Sequence, residues 1–137
     1  MRSDPERKLV MLVQANDKCP FEEWIRGIRD KVTRLKIERQ IDKLARGLGL
    51  QKSLGSVSEL KIDLGPGYRV YYVLFDQKTL VALLGGGDKS DQNRDIAQAK
   101  QLWQSFEDSG HSEAALRSWR EDPEPEPQEP LPEGEIE

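Results

Sequence analysis

Residues Val57–Lys100 read VSELKIDLGPGYRVYYVLFDQKTLVALLGGGDKSDQNRDIAQAK, and their patterning decides the fold. From Ser58 to Leu64, Leu60, Ile62 and Leu64 share one parity while Glu59, Lys61 and Asp63 share the other. That is the period of a strand with one face on a core and one face open to solvent or ligand. Gly65-Pro66-Gly67 ends the run, because proline fixes its own φ and glycine takes positive φ at little cost. Tyr68 to Phe75 is β-branched and aromatic, as a pleated surface favours. Asp76-Gln77-Lys78 turns the chain again, and Thr79 to Leu84 is apolar on both parities, the mark of a strand covered on both sides. The stretch predicts three strands joined by two tight hairpins, then a helix.

Working outward, Leu9 to Val13 is a short apolar run that predicts a first strand in the same sheet. Pro20 suits the first turn of a helix, where its missing N–H does no harm. Phe21, Trp24, Ile25 and Ile28 then recur at helical spacing as a core stripe. A second helix is expected from Lys31 to Arg46, burying Ile37, Ile41 and Leu44 and ending at Gly47 and Gly49. After the glycine run, Ser90 is expected to cap a helix whose buried stripe is Ile96, Ala99, Trp103 and Phe106. The glycines themselves are expected to let the strand end turn sharply. Their spacing does not fit a P-loop, so nucleotide binding there is rejected.

The fold class is therefore α+β: a small antiparallel sheet of about four strands, packed against two N-terminal helices, with a C-terminal helix and a disordered acidic tail. Residues 1–107 form the folded domain, and 108–137 an acidic, Pro/Glu-rich tail. Within that tail, 112–120 has the composition of a short helix. The remainder, PEPEPQEPLPEGEIE, has prolines and repelling charges in place of a core.

The net charge of −4 is unevenly spread. Residues 1–107 hold 19 Lys+Arg against 15 Asp+Glu, and residues 108–137 hold 2 against 10. A mildly basic body permits an anionic ligand. The single cysteine, Cys19, leaves no internal disulfide and suits a reducing cytosol. With no apolar signal core in MRSDPERK, a cytoplasmic protein that does not enter a membrane is expected. One histidine, His111, and one cysteine make no metal cluster, so neither metal nor cofactor is expected.

The polar residues of the sheet narrow the chemistry. Lys61 and Arg69 lie within cross-strand reach across the first hairpin, Tyr71 shares the parity of Arg69, and Asp88-Lys89 follow the glycines. Cations and a phenol on one face suit a phosphodiester, arginine through its planar fork and lysine as a point charge or proton carrier. From composition alone, the same cations read sooner as a solvated face paired with Glu59 and Asp63. On the second helix, Lys36, Arg39 and Lys43 either lean on the phosphates of a large RNA or form a wet helix face laced with Glu38 and Asp42. Lys52, in the loop returning to the sheet, is a further RNA-binding candidate.

Four motifs occur in fixed order: Phe21-x-x-Trp24-Ile25, Glu59-Leu60-Lys61-Ile62, Gly65-Pro66-Gly67-Tyr68-Arg69-Val70-Tyr71, and the run from Gly86 through Asp88-Lys89-Ser90, Gln92 and Asp95-Ile96 to Ala99. Together they resemble the small toxins of bacterial toxin–antitoxin operons. The likeness is to the phage-derived "addiction module killer" branch, HigB-like members of the RelE/ParE superfamily, over about Lys8 to Phe106. Lys61 stands where that branch usually carries arginine.

The resemblance implies a metal-free endoribonuclease that cuts messenger RNA, on the ribosome, and is neutralised by a helix-turn-helix antitoxin. Its reaction is attack of a ribose 2′-OH on the adjacent phosphate, which needs a base, positive charge on the phosphoryl oxygens and a donor for the leaving oxygen. Arg69 is then expected to stabilise the phosphate, with Lys61 and Lys89 as supporting cations or proton carriers and Tyr71 as a stacking or proton-donating partner. The alternative is a non-catalytic protein of the same fold, binding a gyrase-type target or surviving as a binding module.

Overall fold

Leu9–Val13 has no polar face, and the chain buries both sides of it. In the computed structural model, which describes residues 7–119, β1 (Lys8–Leu12) lies inside a six-stranded sheet of order β2-β3-β4-β5-β1-β6. The other strands are β2 (Leu50–Ser53), β3 (Ser58–Ile62), β4 (Tyr68–Phe75), β5 (Leu80–Asp88) and β6 (Leu116–Ser118). Strands β3, β4 and β5 pair antiparallel through the two hairpins read from the sequence. β1 instead runs parallel to β5, with Leu9 opposite Val81 and Met11 opposite Leu83. The sheet is thus mixed and six-stranded, not antiparallel and about four-stranded.

The two missed strands are the two edges. β2 reads LQKS, exposed throughout, with Leu50 at 64 %. β6 is three residues long and pairs antiparallel with β1; of the short helix expected over 112–120, only a 3-10 turn at Glu113–Ala115 forms before it. Both are held by backbone pairing with a neighbour and carry little apolar alternation of their own. No periodicity reveals such strands.

Helices α1 (Pro20–Arg26), α2 (Lys31–Leu44) and α3 (Gln92–Asp108) complete the fold. Pro20 opens α1 as expected, and Asp30 caps α2 by accepting from the Thr33 amide at 3.2 Å. α1 and α2 cover one face of the sheet, where Phe21, Ile25, Ile37 and Ile41 pack with Leu9, Met11, Leu60, Val70 and Val81. α3 covers the other, where Leu102, Trp103 and Phe106 pack with Val10, Leu12, Val57, Tyr71 and Leu84. Each large apolar side chain so buried contributes about 1.5–3 kcal/mol. The Glu59–Lys61–Asp63 parity is therefore not simply a solvent face: α3 closes over part of it.

The glycine run also differs from expectation. β5 continues straight through Gly85, Gly86 and Gly87, which pair with Tyr71, Val70 and Arg69. These positions are glycine because side chains lie where a Cβ would go: the Trp24 ring over Gly86 and the Asp95 carboxylate over Gly87. Asp88, not Ser90, caps the following turn, accepting from the Ser90 amide at 2.8 Å.

Candidate functional site

The register of β3 and β4 sets Lys61 opposite Arg69 and Glu59 opposite Tyr71. Directly paired residues present side chains to the same face, with Cβ atoms about 4.5–5.5 Å apart. Four polar residues thus project toward the N-terminal end of α3. The Gly65-Pro66-Gly67 turn brings in a fifth. Gly67 is at φ +87°, and a Cβ there would stand 3.3 Å from Lys89 Cε and 3.8 Å from Arg69 Nη1. Lys89 and Arg69 converge over this residue because it has no side chain.

Burial then separates the roles. Arg69 is 7 % exposed and Glu59 4 %. Arg69 Nε lies 3.2 Å from Glu59 Oε2, and Gln92 Nε2 donates to the same oxygen at 3.0 Å. Arg69 Nε and Nη1 nevertheless lack an aligned hydrogen-bond acceptor. The guanidinium is held by charge rather than by a fork-to-fork pair. Lys61 and Lys89 are exposed. Neither forms an ion pair with any of the described residues.

Tyr71 is fully buried, and its hydroxyl has no partner. Burial pushes that phenol well above its ordinary range, with Glu59 and Asp95 adding to the effect and Arg69 opposing it. Tyr71 is a neutral phenol sealed under α3, and its ring offers no face to a base in this state. Asp95, in the first turn of α3, has its carboxyl raised chiefly by burial. Cys19 is likewise raised by burial, so it presents no thiolate nucleophile.

The RNA-binding set splits in two. Lys52 lies on β2, not in a loop, directly opposite Glu59, so it faces the α3 side with Lys61. Lys36, Arg39 and Lys43 lie on α2, across the sheet from them. His111 stacks on Phe106 at 4.7 Å, near the C-terminal end of α3 and outside the cationic face. Glu59 was visible in the sequence only as a possible surface partner, and Gln92 and Asp95 only as members of the fourth motif. Their position over the sheet depends on how α3 folds back, which no local pattern encodes.

A large groove of about 1210 Å³ lies elsewhere. It runs between α3, the loop Gln14–Lys18 and β5, touching the site only at Asp95. A smaller cleft of about 500 Å³ lies beside Trp24, Tyr68 and Asp88. Lys61, Arg69 and Lys89 line neither of these two clefts. Among the described residues no three His, Cys, Asp or Glu side chains converge as a metal site, and no helix is long and apolar enough to cross a membrane.

A mixed sheet with two helices before its hairpins and a third folded over the far face is a RelE-like fold. The E. coli toxin RelE, solved in its free state as a double arginine-to-alanine mutant, superposes with a TM-score of 0.51 at 16 % identity, over 70 % of this chain and 96 % of that one. In sequence, a Haemophilus influenzae protein of uncharacterized role is 42 % identical over 99 residues, spanning 70 % of this chain and 98 % of its relative. This chain belongs to the same family as that H. influenzae protein. No family model matches the sequence.

Proposed function

We propose that this protein is a toxin of a type II toxin–antitoxin system, an endoribonuclease that cuts messenger RNA without a metal and is silenced by a helix-turn-helix antitoxin. The observation that carries the reading is the convergence of Lys61, Arg69 and Lys89 on one sheet face of a RelE-like fold. The motifs shared with HigB-like proteins of the RelE/ParE superfamily point the same way, and such toxins work in the cytoplasm on translated messages.

In this reading Lys61 and Lys89 meet the scissile phosphate and offset the charge that develops on its oxygens. Arg69 acts from behind: paired to Glu59, it fixes the sheet face that carries Lys61. Lys61, exposed on this face, is the group assigned to take the 2′-OH proton. Lys52 extends the track for the RNA backbone on the same face, and Lys36, Arg39 and Lys43 form a separate phosphate-binding stripe.

The burial of Arg69 and Tyr71 favours a second reading, in which the fold binds a partner, such as a gyrase-type target, and cleaves nothing. Induced expression separates the two. The toxin reading expects growth arrest, with primer extension mapping cuts inside translated messages, and cleavage by purified protein on programmed ribosomes that survives EDTA. Lys61→Ala with Lys89→Ala should lower that cleavage at least about a hundredfold while the protein stays folded. Arrest without cuts supports the binding reading; cleavage untouched by the double substitution moves the site elsewhere.

A further inference from the structure

Helix α2 carries an unusual outer face. Lys36, Arg39 and Lys43 recur at spacings of three and four, so they form one stripe opposite the buried Ile37, Ile41 and Leu44, and Arg46 follows in the turn just past the C-cap Ala45. Two large apolar residues, Val32 and Leu35, are exposed on the same helix. Exposed apolar side chains among cations form a surface suited to an acidic segment with occasional apolar residues.

The chain supplies such a segment. Residues 120–137 hold eight acidic residues against one arginine, with Leu131 and Ile136 as their large apolar residues. The structure fixes where this segment starts. Trp119 packs edge-on to Phe21 at 5.2 Å, and its Nε1 donates to Asp42 of α2 at 3.1 Å. Residue 119, from which the acidic sequence continues, therefore lies beside α2, while Lys52, Lys61 and Lys89 lie across the sheet. Proline-rich chain extends about 3.1 Å per residue, so eighteen residues reach about 56 Å, well beyond the roughly 21 Å of a fourteen-residue helix. Tethering at Trp119 gives the acids a high effective concentration at α2.

We propose that residues 120–137 dock on the Lys36–Arg39–Lys43 stripe of α2 and the adjoining Arg46, and compete there with anionic polymers such as RNA. Docking itself requires no nuclease activity; the competition with RNA rests on the nucleic-acid reading above. Because Lys36, Arg39 and Arg46 are exposed, the interaction is screened as salt rises and the Debye length shortens.

The test uses the full-length chain and a full-length variant carrying Glu121→Gln, Asp122→Asn, Glu124→Gln, Glu126→Gln, Glu129→Gln, Glu133→Gln, Glu135→Gln and Glu137→Gln. At low salt, the amide NMR signals of Lys36, Arg39 and Lys43 should differ between the two proteins, and the difference should vanish at high salt. A fluorescent oligouridylate should bind the variant about tenfold more tightly at low salt. Coincident α2 signals, or differences confined to Lys61 and Lys89, overturn the proposal. If the α2 signals differ but neither protein binds oligouridylate, docking stands and the RNA reading falls.

Discussion

Arg69 and Glu59 are both buried, and each is the other's charge partner. Removing one member of such a pair leaves an uncompensated buried charge, which costs about 3–5 kcal/mol. Arg69→Ala should therefore lower unfolding stability by that order in a urea titration, and adding Glu59→Met should restore most of it. A loss of activity in Arg69→Ala thus reports folding first, which makes Lys61 and Lys89 the informative substitutions. Asp95 makes a pH-dependent contribution of the opposite sign to the helix caps. Its carboxyl is raised from 3.8 by burial, so the folded protein holds that proton more tightly than the unfolded one. Stability from this group is fully present below the unfolded value and falls as pH rises through the folded one. Asp30 and Asp88 are lowered by hydrogen bonds from Thr33 and Ser90, so their contribution is present above the unfolded value and lost as pH falls. Asp95→Asn should flatten the decline on the rising side, measured as denaturation midpoints from pH 4 to 7; an unchanged slope would show that the carboxylate is solvated.

At the scale of elements, the glycine segment of β5 is the joint between the two layers of helix. Trp24 of α1 presses on Gly86 from one face, and Asp95 of α3 lies on Gly87 from the other. Gly86→Ala forces a methyl into the indole ring of Trp24, an overpacking worth about 1–3 kcal/mol. That loss should appear as a lower thermal midpoint together with a shift in Trp24 fluorescence. Gly85→Ala is the control, because a Cβ at Gly85 meets nothing within 4 Å. Read from sequence alone, three glycines in a row signal a turn, since glycine is the common punctuation between elements. Here they signal close approach, and the difference lies in residues sixty-two and eight positions away.

For the whole molecule, charge and cover are arranged by side. The α3 side presents Lys52, Lys61 and Lys89, and the α2 side presents Lys36, Arg39, Lys43 and Arg46. A nucleic-acid ligand that engages one side contacts few phosphates and depends only modestly on salt; one that wraps both depends steeply. Each neutralised single-strand phosphate adds about 0.7 to the slope of log affinity against log salt. Lys61→Ala with Lys89→Ala should therefore reduce the slope for an RNA oligonucleotide by about 1.4 in anisotropy titrations over 50–300 mM salt. An unchanged slope places the RNA off this face.

The sequence by itself determined the elements that carry their own pattern. Alternation gave β3, an unbroken apolar run gave the covered strand β5, helical spacing gave α1, α2 and α3, and the Gly-Pro-Gly turn put Lys61 within cross-strand or diagonal reach of Arg69. These are short-range facts, because side-chain period and turn chemistry act within a few residues. Only the tertiary structure decided that β1 lies parallel to β5, that Leu50–Ser53 and Leu116–Ser118 complete the sheet, and that α3 closes over Glu59, Arg69 and Tyr71. Edge strands borrow their hydrogen bonds from neighbours, and burial depends on what packs above a residue. Both come from chain segments far away in sequence.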